Sequence, residues 1–386
     1  HYGTVRNPQR RAGMKKIGLL GCTGSIGKNT LDVIRSDKNF SVSLLANYSD
    51  LIGLKALIKE FSPEIAICLS EKYLYKDGKE YALSDVNVLA DETLYDNCDL
   101  VINGIVGLAG LLPSLTVIKS GKILATANKE SFVCAGGIIN ECVKKYDGTI
   151  YPLDSEHSAV WQLIQGKNNV KDIYITASGG AFRDKTKEEL AACPASDALK
   201  HPNWIMGKKV TIDCATLMNK GMEIIEAKHF FNRIPKVLGH RESYVHALVE
   251  FTDGTYNANI SEPSMFYPRS YALHYPNCGF FNKNTSLVGK SFNFFELNED
   301  RFPCLAIAKK VVNLGDIAGC VMNAADEILV NRYLKGEIGF YDIPEGIEKT
   351  LNKFSSVGNF NNIDDVFRID KESREYTLSM RFGGKR

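Results

Sequence analysis

Several protein classes leave no mark on this sequence. Its ten cysteines form no C-x-x-C pair and follow no secretory signal. Scattered thiols in a chain of 386 residues read as reduced and cytoplasmic, not as a disulfide framework. Net charge is only +2, so no strong field draws the chain to nucleic acid or to an acidic membrane. Internal repeats and low-complexity tracts are also missing. One uncharged run, "LVINGIVGLAGLLPSLTVI" (100–118), is long enough to span a bilayer. It contains Asn103, Gly104, Gly107, Gly110, Pro113, Ser114 and Thr116, a mixture that fits a buried strand, a glycine loop and a helix better than a membrane span. Residues 1–13 show no apolar periodicity. They are expected to be a vector-derived remnant and are set aside from the fold.

What is present alternates. From Met14, short apolar runs ("KKIGLLG", "SVSLLAN", "EIAICLS", "DLVING", "KILATAN") are interleaved with stretches of helical spacing ("KNTLDVIRS", "DLIGLKALIKEF", "LLPSLTVIKSG"). Strands alternating with helices imply a parallel sheet covered on both faces. The middle of the chain is mixed. "DIYITASGG" and "KKVTIDCAT" read as strands, "LMNKGMEIIEAKHFF" as a helix, and "SYVHALVEFTDGTYNANIS" as a hairpin turning at Asp253-Gly254. Residues 282–300 have little pattern and read as a linker. From "RFPCLAIAKKVVNLG" onward the spacing is helical, with breaks near Gly315, Gly336 and Gly358. The length suits two or three domains, because single cores seldom grow past roughly 250–300 residues.

Four motifs bear on chemistry. "GCTGSIGKNT" (21–30) is not a P-loop: G-x-x-x-x-G-K-S/T would need glycine at Cys22 and a hydroxyl at Asn29. Its G-x-x-G-x-x-G spacing between a strand and a helix fits a dinucleotide turn, where glycines let the backbone approach a pyrophosphate at the helix N-terminus. The second strand ends at Asn47, Tyr48 and Ser49 without a carboxylate. That favours NADP over NAD, although no basic residue stands there and Asp50 keeps the other choice open. In "LDSEHS", Asp154 and Glu156 alternate at an expected strand end, as a hard-cation pair or a solvated edge; His157 reads as their hydrogen-bonded neighbour. In "DCATLMNKGMEIIEA", Asn219, Glu223 and Glu226 share one helix face. Cys214 and Thr216 stand near the helix start, and Lys220 suits phosphate; a plain amphipathic helix is the alternative. In "HPNWIMG", Trp204 belongs either to a lid or to a core.

Taken together, "GCTGSIG", "TANKES", "LDSEHSA", "TASGGAFR", "HPNWIMGKKVTIDCATLMNKGMEIIEA" and "RFPCLAIA" resemble the 1-deoxy-D-xylulose 5-phosphate reductoisomerase family over essentially all of residues 14–386. The resemblance implies an α/β fold of three parts: a Rossmann-like, NADPH-binding parallel-sheet domain (14–153), a central α+β catalytic and dimerising domain with a flap (154–281), and, past the linker, an α-helical domain (301–386). It implies cofactor contacts at Thr23, Gly24, Ser25, Ile26, Asn128, Glu130, Gly207 and Met265. Asp154, Glu156 and Glu223 match a Mg²⁺ or Mn²⁺ site. Lys129, Ser155, Ser178, His201, Trp204, Asn219 and Lys220 match substrate contacts, with Ser178, Asn219 and Lys220 around the phosphate. The reaction so implied is a metal-assisted rearrangement of a ketose phosphate, by retro-aldol cleavage or α-ketol migration, followed by hydride transfer from NADPH, in a homodimer. A plain dehydrogenase and a redox sensor on the same scaffold are the alternatives; the first leaves the three carboxylates unexplained, and the second has no need of Lys220 beside a carboxylate face.

Three positions depart from the family pattern. Cys214 replaces a serine that donates to the substrate phosphate, and a thiol is a weaker donor. "ANYS" replaces the usual glycine and basic residue around the adenosine 2′-phosphate, leaving Asn47, Tyr48 and Ser49 to that task. "EPSMFYP" lacks the usual aspartate and arginine beside Met265.

Overall fold

The computed structural model describes residues 13–85, 87–199, 207–279 and 286–383. Residues 1–12 and the motif residues His201 and Trp204 lie outside the described residues. The chain forms two units. One takes the described residues up to 131, residues 139–158 and those from 264 to 279; the other takes 132–138, 159–263 and the remainder from 286. Residues 264–279, read with the central domain in the sequence, thus cluster with the N-terminal unit.

The first unit is built on eight strands: β1 (Lys15–Leu20), β2 (Phe40–Asn47), β3 (Ile65–Cys68), β4 (Tyr73–Lys76), β5 (Lys79–Ala82), β6 (Leu100–Asn103), β7 (Ile123–Thr126) and β8 (Thr149–Pro152). Their order is β5-β4-β3-β2-β1-β6-β7-β8. All pairs from β3 to β8 are parallel, and β3-β4-β5 adds an antiparallel edge. Helices α1 (Ser25–Ser36), α2 (Leu51–Phe61), α3 (Leu111–Lys119) and α4 (Lys129–Tyr146) connect them, as the alternation predicts. Central strands are mostly apolar because both sheet faces are covered; Ile17, Leu19, Leu45, Val101 and Ile102 are fully enclosed. Edge strand β5 is exposed and carries Lys79 and Glu80, which discourages further pairing. The uncharged run at 100–118 resolves into β6, a glycine loop and α3; among the described residues no helix is long and apolar enough to cross a membrane.

Strand order reverses beside β1, whose neighbours are β2 on one side and β6 on the other. Such a switch point opens a crevice at the carboxyl ends of the strands. Leu20 and Asn103 pair across β1 and β6, so the "GCTGSIG" turn and the loop after Asn103 leave the sheet side by side.

After α5 (Ser155–Ile164), the second unit contributes β9 (Val170–Ala177), α6 (Lys187–Ala191), α7 (Ala195–Ala198), α8 (Lys208–Thr216), α9 (Met218–Phe231), β10 (Lys236–Gly239), β11 (Val245–Phe251) and β12 (Tyr256–Ile260). Its sheet runs β10-β9-β11-β12, with only β9-β10 parallel. The predicted hairpin is β11-β12, and Gly254 in its turn has a φ of 85°. Helix α10 (Phe266–His274) belongs to the first unit. Helices α11 (Pro303–Leu314), α12 (Asp316–Leu334), α13 (Asp342–Phe354) and α14 (Ile363–Ser379) complete the second. The expected break at Gly315 is a left-handed turn (φ 104°) where a Cβ would lie 2.6 Å from the Gly358 carbonyl oxygen. Within the expected linker, Phe295 forms a lone bridge to Gly239.

Two local expectations fail. "KKVTIDCAT" is a helix, α8, not a strand. Its Val-Thr-Ile run has strand propensity, but Thr211 bonds back to the Gly207 carbonyl at 2.9 Å, Lys209 pairs with Asp213 one turn on, and Ile212 and Ala215 are buried. Asp154 and Glu156 do not alternate along a strand either. Strand β8 ends at Pro152, Asp154 precedes α5, and Glu156 lies in the first turn of α5, where the helix dipole favours a carboxylate.

Candidate active site

In the first unit the dinucleotide turn is shaped by missing side chains. Gly21 sits at φ 80°, and a Cβ there would approach the Gly104 carbonyl oxygen to 2.8 Å. Gly27 is buried against Cys22, where a Cβ would fall 2.4 Å from the carbonyl oxygen. Gly24 is the N-cap of α1 and places no side chain over the helix start; Gly24 and Ser25 are exposed, Thr23 and Ile26 half-buried. A helix N-terminus left open in this way, at the switch point, suits a pyrophosphate.

The polar residues around it mostly hold the backbone. Asn103 donates to the Gly110 carbonyl (2.9 Å) and to Ser114 Oγ (2.8 Å) and accepts from Ile105 N–H. Asn128 donates to the Ile105 and Gly107 carbonyls and accepts from Ser131 N–H, capping α4. Its amide fastens that loop to the start of α4. Glu130 is buried in the first turn of α4. Asn47 is buried, donating to Thr23 Oγ1 (3.2 Å) and to the Asp50 carbonyl (2.7 Å). Tyr48 and Ser49 are exposed, Tyr48 by 73%. Asp50 caps α2, accepting from Gly53 N–H at 2.8 Å, so a helix start already engages its carboxylate.

The same unit carries the "LDSEHS" carboxylates. Lys129 Nζ lies 2.6 Å from Asp154 Oδ2, with both side chains largely enclosed. Asp154 also accepts from Ser155 N–H, and Ser155 Oγ donates to Glu156. Met265 is the N-cap of α10. Sequence reasoning missed Arg269, which is 2% exposed and donates through Nη1 to the Met265 carbonyl at 2.6 Å. Burial pushes this guanidinium down to about 10, against the opposing charge of Asp154.

In the second unit, β9 ends at Ala177 and delivers Ser178, Gly179 and Gly180. Both glycines have positive φ, and a Cβ on Gly180 would lie 2.4 Å from the Cys214 carbonyl oxygen. The Ser178 loop therefore rests directly on the end of α8 that bears Cys214. Leu217, in the left-handed conformation at φ 62°, turns the chain from α8 into α9. Helix α9 places Asn219, Lys220 and Glu223 together: Asn219 Nδ2 donates to Glu223 Oε1 at 2.6 Å, and Lys220 Nζ is ion-paired with Glu223 Oε2. Lys220, Glu223 and Glu226 are all buried, which rules out a solvated polar face for this helix. A buried lysine and carboxylate pay a desolvation cost that ordinary helix packing does not require. Gly207, exposed, is the N-cap of α8.

Comparison with known proteins decides the family. Family models match residues 17–136 (1-deoxy-D-xylulose 5-phosphate reductoisomerase), 150–231 (its C-terminal domain) and 260–376 (DXP reductoisomerase C-terminal domain). The 1-deoxy-D-xylulose 5-phosphate reductoisomerase of Bacillus pumilus is 40% identical, covering 95% of this chain and all of the relative. That of Protochlamydia amoebophila is also 40% identical, covering 94% of this chain and 97% of the relative. The chain belongs to the 1-deoxy-D-xylulose 5-phosphate reductoisomerase family.

Solved structures of the family agree. A DOX-P reductoisomerase in complex with NADPH, fosmidomycin and magnesium superposes with a TM-score of 0.87 at 32% identity, covering 95% of this chain and 98% of that one. The Zymomonas mobilis reductoisomerase in complex with NADPH gives 0.83 at 32% identity over the same shares. Family membership identifies the chain as an NADPH-dependent oxidoreductase with a Rossmann-like first unit.

Proposed function

We propose that the chain rearranges 1-deoxy-D-xylulose 5-phosphate and reduces the product with NADPH to 2-C-methyl-D-erythritol 4-phosphate, in non-mevalonate isoprenoid precursor synthesis, with Mg²⁺ or Mn²⁺. The observation that carries this reading is the pairing, in one chain, of an open glycine turn at the sheet switch point with an Asn219-Lys220-Glu223 group on α9 whose lysine and glutamate are buried. The likeness to reductoisomerases along nearly the whole chain supports it.

Each residue has a task. Thr23, Gly24, Ser25 and Ile26 take the NADPH pyrophosphate on backbone N–H groups, with Gly207 as a further contact and Met265 beside the nicotinamide. Asn128 holds the neighbouring loop in place, and Asn128 and Glu130 contact the cofactor from the start of α4. Tyr48 and Ser49 meet the adenosine end, while Asn47 fastens their strand to Thr23. The engagement of Asp50 with α2 weakens the electrostatic case against a 2′-phosphate.

Asp154, Glu156 and Glu223 supply the carboxylates for the divalent ion. An all-oxygen anionic donor set suits a hard cation, and ammonium groups already rest on Asp154 and Glu223 in this structure. When bound, the ion supplies Lewis-acid stabilisation of charge on oxygen, and NADPH supplies hydride. Lys220, Asn219 and Ser178 hold the substrate phosphate, and Cys214 adds a weak donor. Lys129 and Ser155 contact the substrate where they adjoin Asp154 and Glu156. His201 and Trp204 belong to a flap that excludes water. Phosphate binding far from the reacting carbons orients them.

The enzyme works as a homodimer in the cytoplasm. Strand β12 is a sheet edge with Tyr256 and Ile260 exposed, a surface suited to a second copy. All ten cysteines are free thiols, as a reducing compartment favours. The reaction is tested by incubating purified protein with substrate, Mn²⁺ and NADPH and identifying the product by NMR. The branched tetrol phosphate is expected; a linear 1-deoxypentitol phosphate would mean reduction without rearrangement.

A further inference from the structure

Lys209 is the second residue of α8. Its ammonium lies 2.6 Å from Asp213 Oδ2, one turn along the same helix, and 2.7 Å from Asp326 Oδ2 in the middle of α12. Asp326 is fully enclosed and Asp213 is 2% exposed. Two buried carboxylates thus share one lysine. Burial pushes the Asp326 carboxyl up, and Lys209 opposes it.

This is a costly way to stabilise a nine-residue helix. Burying carboxylates around a single cation seldom repays its desolvation, and an apolar contact would serve stability as well. What the charges add is geometric definition. Lys209 ties α8 to α12 two residues after Gly207. The far end of α8 carries Cys214, whose carbonyl touches the Ser178 loop, and Leu217 then turns directly into Asn219, Lys220 and Glu223. Helix α9 is separately set by close packing on α11, where a Cβ at Gly221 would meet Ala308 Cβ at 2.4 Å. A shift of α8 along α12 would move Cys214 and the Ser178 loop relative to Asn219 and Lys220.

We propose that Lys209 and Asp326, with Asp213, are positioning residues: they fix α8 so that its C-terminal end and the start of α9 form a cradle matched to the substrate phosphate. The proposal rests on the reading of Ser178, Cys214, Asn219 and Lys220 as phosphate contacts. It assigns to α12 a part in substrate binding that no contact with substrate requires.

The full-length protein provides the test. Asp326→Asn and Lys209→Met are expected to raise the substrate KM about tenfold, since small misplacements of binding groups cost that much. The inhibition constant of inorganic phosphate should rise in parallel, while NADPH affinity, measured by fluorescence titration, stays that of the wild type. Lys209→Arg should recover most of the loss. A folded Asp326→Asn protein with wild-type substrate KM and phosphate inhibition overturns the proposal. So does a parallel loss of NADPH affinity, or failure of both variants to fold, because the cluster would then serve stability alone. Lys220→Ala separates the two ideas. If it leaves substrate KM unchanged, the phosphate reading fails; if it raises KM while Asp326→Asn does not, only the positioning role fails.

Discussion

The glycine turn of the first unit and the proposed phosphate cradle of the second are built by opposite means. The turn works by absence: Gly21, Gly24 and Gly27 clear space and leave the start of α1 open. The cradle works by presence: Lys220 and Glu223 are charged, buried and paired. Backbone sites depend on conformation, so adding one carbon damages them. Side-chain sites depend on charge, so an isosteric change of one atom does.

The largest effect is expected at the charged site. Glu223→Gln keeps the shape but removes a proposed metal-binding carboxylate, and kcat/KM should fall on the order of a thousandfold. NADPH titration of the same variant should be unchanged. Activity retained in chelator would sink the metal assignment. At the turn, Gly21→Ala forces a side chain into left-handed backbone with the Gly104 carbonyl in its way. That strain should weaken NADPH binding roughly tenfold, with inorganic phosphate inhibition preserved. Cys214→Ser puts a stronger donor in the cradle and should leave substrate KM unchanged or lower; a large increase would give the thiol a separate role.

The smallest effect concerns the sheet of the second unit. Lys171 and Tyr174 hold the Glu250 carboxyl at about 2, below its ordinary value of 4.5. Because the folded-state value is depressed, this pair contributes stability above pH 4.5, and the contribution is lost as pH falls toward 2. Glu250→Gln should flatten the acid side of a stability profile in that window without altering NADPH affinity.

The same contrast explains what the sequence made legible. Glycine spacing, strand–helix alternation, the Asp253-Gly254 hairpin and the breaks at Gly315, Gly336 and Gly358 are local signals, and the elements stand where they point. Tertiary contacts decide the rest. "KKVTIDCAT" has the composition of a strand, yet Gly207, the Lys209–Asp213 pair and burial of Ile212 make it a helix. Asp154 and Glu156 were identifiable as a pair, but their geometry comes from the start of α5 rather than from a pleat. Helical spacing put Asn219, Glu223 and Glu226 on one face; that the face is buried follows only from what packs on it. Arg269 and Asp326 gave no signal, since the charge of a residue does not reveal its enclosure.

NADPH oxidation by this chain is proposed to depend on a divalent metal held by carboxylates. Its most direct test is NADPH absorbance followed with substrate present, in parallel samples containing Mn²⁺ or chelator. The account predicts steady NADPH consumption with Mn²⁺ and none with chelator. Equal consumption in the two samples would contradict it.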